Sequence, residues 1–157
     1  MSNASLTAYL NDHLAGSVGA IEMVARAIEQ NAGTPFARRL EGVLEEIKSE
    51  QQVLKDLIAG IGGEQNPVKK AGAWLAEKAS RMKLGGTDDP AGLARLEVLE
   101  ALTIGIHGRS ALWRALRVVV DKHPELRSLD LDLLERRAIE QRDRVEEWRL
   151  EAASEAL

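Results

Sequence analysis

Residues 93–120, LARLEVLEALTIGIHGRSALWRALRVVV, are apolar over too wide an arc for a helix that touches one neighbour. Leu93, Leu96, Leu99, Ile106, Trp113 and Leu116 recur at helical spacing, and Val120 ends the series. Val98, Leu102, Leu112 and Val119 broaden the stripe. Such a helix must be covered on two sides, so a bundle has to form around it.

The rest of the chain supplies the partners. Residues 5–30 predict a first helix, with Ser5 as N-cap and a stripe of Leu6, Tyr9, Leu10, His13, Leu14, Val18, Ile21, Val24 and Ile28. Asn31-Ala32-Gly33 stops it, and Thr34-Pro35 restarts the chain with a capping hydroxyl followed by proline in the first helical position. The second helix, 35–60, carries Leu40, Val43, Leu44, Ile47, Leu54 and Leu57, and ends at Gly60-Ile61-Gly62-Gly63. Asn66-Pro67 opens a shorter helix, 67–84, closed by Gly85-Gly86. The third long helix is expected over 90–121 from Asp89-Pro90. The fourth is expected over 130–156, its stripe formed by Leu133, Leu134, Ala138, Gln141, Val145 and Trp148. Its other face is charged, with Glu140/Arg144 and Arg142/Glu146 spaced for pairing along the helix.

Turn lengths set the topology. The short turn after residue 30 makes helices 1 and 2 an antiparallel hairpin, and helices 3 and 4 another. The connection between the hairpins holds a helix of ~27 Å, long enough to return the chain along the bundle. Helices 2 and 3 should therefore run parallel. The expected fold is all-α, one domain over 1–157: an up-down four-helix bundle with one long crossover connection containing a short helix.

Composition narrows the function classes. With no Cys, disulfides, thiolate metal sites and Cys nucleophiles are excluded. A net charge of −4, mixed along the chain, gives no field suited to nucleic acid or an anionic membrane. No apolar run approaches the ~20 residues of a membrane span, and the start lacks the apolar core of a signal peptide, so a cytoplasmic protein is expected. There is no nucleophile elbow, no phosphate-binding glycine loop and no His-Glu-x-x-His.

In helix number, lengths and crossover, the chain resembles the ferritin-like four-helix-bundle superfamily, and within it small bacterial members with degenerate metal-ligand positions. The resemblance implies a ferritin-like bundle. For its diiron members it implies a Glu from each of two helices and a Glu-x-x-His from each of the other two. Here no Glu is followed three residues later by His. The nearest stretches are Glu97-x-x-Glu100 and Glu46-x-x-x-Glu50.

Aligning the helices through their turns brings Gly16 level with Glu50, Glu50 with Gly105, and Ser110 with Gln141. Departures from an apolar core then share one slab: His13, Glu50, Gln51, His107 and Gln141. They read as a mid-bundle polar layer whose members satisfy one another. The alternative is a divalent-metal site with His13, Glu50 and His107 as ligands. Gly16, Gly19, Gly105 and Gly108 fall in the same slab and read as close helix packing, with a small-ligand pocket as the alternative. The 67–84 helix carries Lys69, Lys70, Lys78, Arg81 and Lys83 against Glu77. It suits pairing with Glu41, Glu45 and Glu46, or binding of a small ligand or nucleic acid with Trp74 for stacking.

The function expected from all this is a non-enzymatic bundle without cofactor, acting through protein contacts or self-association as a homo-oligomer, most simply a dimer. A ferritin-like di-metal carboxylate protein, for metal storage or oxygen chemistry, is the first alternative. A small-ligand or nucleic-acid binder using the basic crossover helix is the second.

Overall fold

Glycine and proline punctuation cuts the chain as its sequence suggests. The structure, a computed structural model, describes residues 3–66 and 92–157. Among these, four α-helices form: α1 (Ala4–Gln30), α2 (Pro35–Gly60), α3 (Gly92–Val118) and α4 (Leu131–Ala156). A 3-10 helix, Pro124–Ser128, precedes α4. The expected crossover helix and its basic face lie outside the described residues, as does the Asp89-Pro90 start of α3.

Local chemistry explains most boundaries. Thr34 Oγ1 accepts from the Ala37 N–H at 3.2 Å, and Asp130 Oδ1 accepts from the Leu133 N–H at 3.0 Å; each satisfies a donor of the first helical turn. Gly33 (φ 81°) and Gly62 (φ 72°) take the left-handed conformation that ends α1 and α2. Two expectations are corrected. Ser5 does not cap α1, because the helix already starts at Ala4 and the preceding Asn3 is engaged elsewhere. α3 ends at Val118, short of residue 121, because the chain turns through 119–122 towards Pro124, whose fixed φ starts the 3-10 turn.

Contacts at the helix ends fix the directions. Asn3 Nδ2 donates to the Ile61 carbonyl at 3.3 Å and Asn3 Oδ1 lies 3.0 Å from His123 Nδ1, so the start of α1 meets the ends of α2 and α3. At the other pole Arg95 Nε donates to Asn31 Oδ1 at 3.0 Å, and Gly92 abuts Ala156. α1 is thus antiparallel to α2 and α3, α4 is antiparallel to α3, and α2 and α3 run parallel. Arg39–Glu151 and Arg144–Glu46 pair α2 with α4. The pairs expected along α4 do not form: Arg144 reaches across to Glu46, and Glu146 takes Arg149.

One apolar core runs through all four helices, with Leu10, Leu14, Leu40, Ile58, Leu112 and Trp113 almost wholly enclosed. Burying a Leu side chain is worth about 1.5–3 kcal/mol, and that drives assembly. The stripes are narrower than their spacing suggested. Tyr9 and Val18 of α1 and Leu93 of α3 are exposed, whereas Asn11 is buried. Asn11 Nδ2 donates to the Thr7 and Glu64 carbonyls, and its Oδ1 accepts from the Asn66 N–H at 2.8 Å. That clamp leads the chain leaving α2 back over α1.

Candidate functional site

At mid-height α1, α2 and α3 do not close on one another. Between them lies a cavity of about 210 Å³. Its apolar walls are Met23 from α1, Ile47 and Leu54 from α2, and Leu102, Ile106 and Leu112 from α3. The space exists because of absent side chains. Gly16 of α1 and Gly105 and Gly108 of α3 line it, and a Cβ at any of them would meet none of the described residues within 4 Å. Close helix packing is therefore corrected at these three positions: each glycine leaves room instead of admitting a neighbour. Gly19 is buried and is not part of the wall.

The polar wall is built around a charged pair. Glu50 of α2 and Arg109 of α3, both largely buried, face each other as an ion pair through Oε2 and Nε. Arg109 Nη2 donates to Gln141 Oε1, and Gln141 Nε2 donates to Glu46 Oε2. Arg144 completes the chain on the other Glu46 oxygen. A buried polar layer thus crosses from α2 through α3 to α4 and back, with Gln141 acting as donor and acceptor at once. Burial pushes the Glu50 carboxyl above its ordinary range, and Arg109 opposes that shift. Nearby, Gln51 Nε2 donates to Ser17 Oγ at 3.0 Å, and the Ser17 hydroxyl donates to the Leu14 carbonyl at 2.6 Å.

The structure brings together most residues singled out in the slab. His13, Glu50 and Gln51 line the cavity with Gly16, Gly105 and Gly108, and Gln141 stands behind Arg109. His107 is exposed and does not line the cavity, so it joins neither the polar layer nor a ligand set with Glu50. The side chain one residue past Ile106 on a helix points away from the face that Ile106 buries. Among the described residues no three His, Asp or Glu gather in a metal-binding group. Sequence reasoning missed Arg109, because an arginine beside an apolar stripe looks like any solvated one. The signal available was Glu50 itself, a carboxylate in a buried stripe that needs a cation within a turn of its level.

His13 is tied to its helix by ring contact. It meets Tyr9 edge-on, with centroids 4.9 Å apart at 76°. Burial lowers its pKa from the ordinary 6.5, and Asp12 pulls the other way. Just below that value the native chain binds fewer protons than the unfolded chain, so stability is complete above pH 6.5 and declines on acidification. A melting series from about pH 7 to about pH 5.5 should show this loss, and His13→Gln should flatten it. An unchanged slope in His13→Gln would remove His13 as its source.

Other surface features are less specific. Ile104 and Leu150 are more than half exposed, on α3 and α4. Trp148 lies beneath the guanidinium groups of Arg39 and Arg144, 5.6 and 5.9 Å from its ring centroid. No described helix is long and apolar enough to cross a membrane. Comparison with protein-family models, curated proteins and solved structures gives no match for this chain.

Proposed function

We propose that this protein is a non-enzymatic, ligand-binding bundle that holds a small, mainly apolar molecule in the cavity between α1, α2 and α3. One observation carries the reading: three glycines within the spans of facing helices leave open space around a buried charged pair. A glycine inside a helix costs about 1 kcal/mol relative to alanine, and here no close backbone approach repays it. Local rules broken without structural return are the mark of a functional place. The size fits as well, since apolar cavities of about 150 Å³ hold a benzene-sized molecule.

The parallel α2 and α3, flanked by antiparallel hairpins, support reading the bundle as ferritin-like, with residues 67–91 as the crossover. Iron chemistry fits this donor set poorly. The buried carboxylate at mid-bundle is already neutralised by a guanidinium, which would repel a divalent cation beside it. Protein contact rests on scattered exposed side chains such as Ile104 and Leu150, and single exposures of that kind are ordinary. The cavity is the more particular feature.

Gly16→Leu tests the proposal. Its side chain has open space to enter, and a leucine favours the helix by about 1 kcal/mol over glycine, so the variant should fold at least as stably as the wild type. Titrated with benzyl alcohol, wild-type protein should show saturable NMR shifts at the His13, Gly16 and Gly105 amides. Gly16→Leu should lose binding at least tenfold. Equal binding by the two proteins would place the ligand elsewhere and end this reading.

A further inference from the structure

The cavity's polar wall is unevenly supplied with hydrogen-bonding partners. On the acceptor side, Asp12 has no ion pair or hydrogen bond among the described residues and stands exposed at the rim. Glu50 meets Arg109 through Oε2, which leaves Oε1 as its second acceptor. Gln51 donates through its nitrogen to Ser17, and among the described residues its amide oxygen takes no donor and His13 makes a ring contact without a hydrogen bond. Against these four acceptors stand few free donors: one N–H of a neutral His13 and what remains of the Arg109 fork after Glu50 and Gln141.

Charge leans the same way. Glu50 and Arg109 neutralise each other, so among the described lining residues the Asp12 carboxylate is left as the uncompensated charge. From these facts we infer that the cavity takes a small organic ammonium ion, its apolar body among Met23, Ile47, Leu102 and Ile106 and its head towards Asp12, Glu50, Gln51 and His13. The inference rests on the cavity reading above and adds the class of ligand.

An ammonium head fits the inventory because it has three donors and no acceptor. A carboxylate would meet Asp12 and the free oxygens of Glu50 and Gln51 as like partners, and Arg109 is already engaged. A neutral hydroxyl could donate to one of the four acceptors and would leave the rest unmet. Burial keeps His13 uncharged near neutral pH, so its ring can accept a proton-bearing donor without adding a positive charge.

The test uses the full chain at neutral pH and three probes of one size: benzylamine, benzyl alcohol and benzoate. Dissociation constants come from the same NMR titration. Benzylamine should bind at least tenfold tighter than benzyl alcohol, and benzoate should bind more weakly than either. In Asp12→Asn, a surface change that leaves the core intact, the benzylamine advantage over benzyl alcohol should shrink several-fold. Equal binding of amine and alcohol, or tightest binding of benzoate, overturns the ammonium inference and leaves the cavity reading standing. Failure of all three probes to reach the cavity amides overturns both.

Discussion

Arg109→Met is expected to lower folding stability by about 3–5 kcal/mol, because it leaves Glu50 buried without its ion-pair partner. Against a total of about 5–15 kcal/mol for a domain of ordinary stability, that is enough to shift the urea midpoint far to lower concentration. The comparison with the double substitution separates loss of a stabilising pair from creation of an orphan charge. Glu50→Leu with Arg109→Met removes both ions, and such replacements are often neutral or stabilising by about 1–4 kcal/mol. The double variant should therefore be much more stable than Arg109→Met alone. Arg109→Lys should not rescue the fold fully, since a lysine is a point charge and cannot meet Glu50 and Gln141 together as the planar guanidinium does. An Arg109→Met protein within about 1 kcal/mol of wild type would show that Glu50 is solvated or protonated in the native state.

That pair also shows where the sequence is readable and where it is not. Helix spans and directions follow from chemistry visible along the chain: Thr34-Pro35 and Asp130 as starts, Gly33 and Gly62 as stops, and a connection too long for a hairpin. Levelling the helices by their turns placed Gly16, Glu50 and Gly105 together, and all three line one cavity. What lies around them could not be read in the same way. Glycine in a helix looks the same in a sequence whether a neighbouring backbone fills the space or nothing does. Here nothing does at Gly16, Gly105 and Gly108. His107 and Arg109 pose a related difficulty. Two residues apart, they face differently, and an error of a fraction of a turn decides which one reaches the interior. The arginine does, and the histidine is exposed.

The cavity and the polar layer impose opposite demands on the same stretch of α3. A close-packed interior holds its helices in one register through shape, whereas an opening removes contacts and leaves its lining without partners on one side. At mid-bundle the register must then be held by directed bonds. Gln141 does this between α3 and α2, giving to Glu46 while receiving from Arg109. Above and below, the apolar layers around Leu99 and Trp113 are sealed. An opening at that height can persist because the layers on either side of it are tightly packed.

Trp113→Ala should therefore cost about 3–5 kcal/mol, the range for emptying a large aromatic from a packed core. Trp113 is 0% exposed and follows directly on Leu112, which lines the cavity. Trp113→Phe is the more informative substitution. The indole Nε1–H is buried without a hydrogen-bond partner among the described residues, so phenylalanine gives up no bond and removes a donor that is costly to bury. The lost ring area works in the opposite direction. The two effects are similar in size, and Trp113→Phe should fall within about 1 kcal/mol of wild type in urea unfolding. Trp113→Phe as damaging as Trp113→Ala would mean that the indole nitrogen has a partner, and that the stability of this layer depends on that bond as well as on packing.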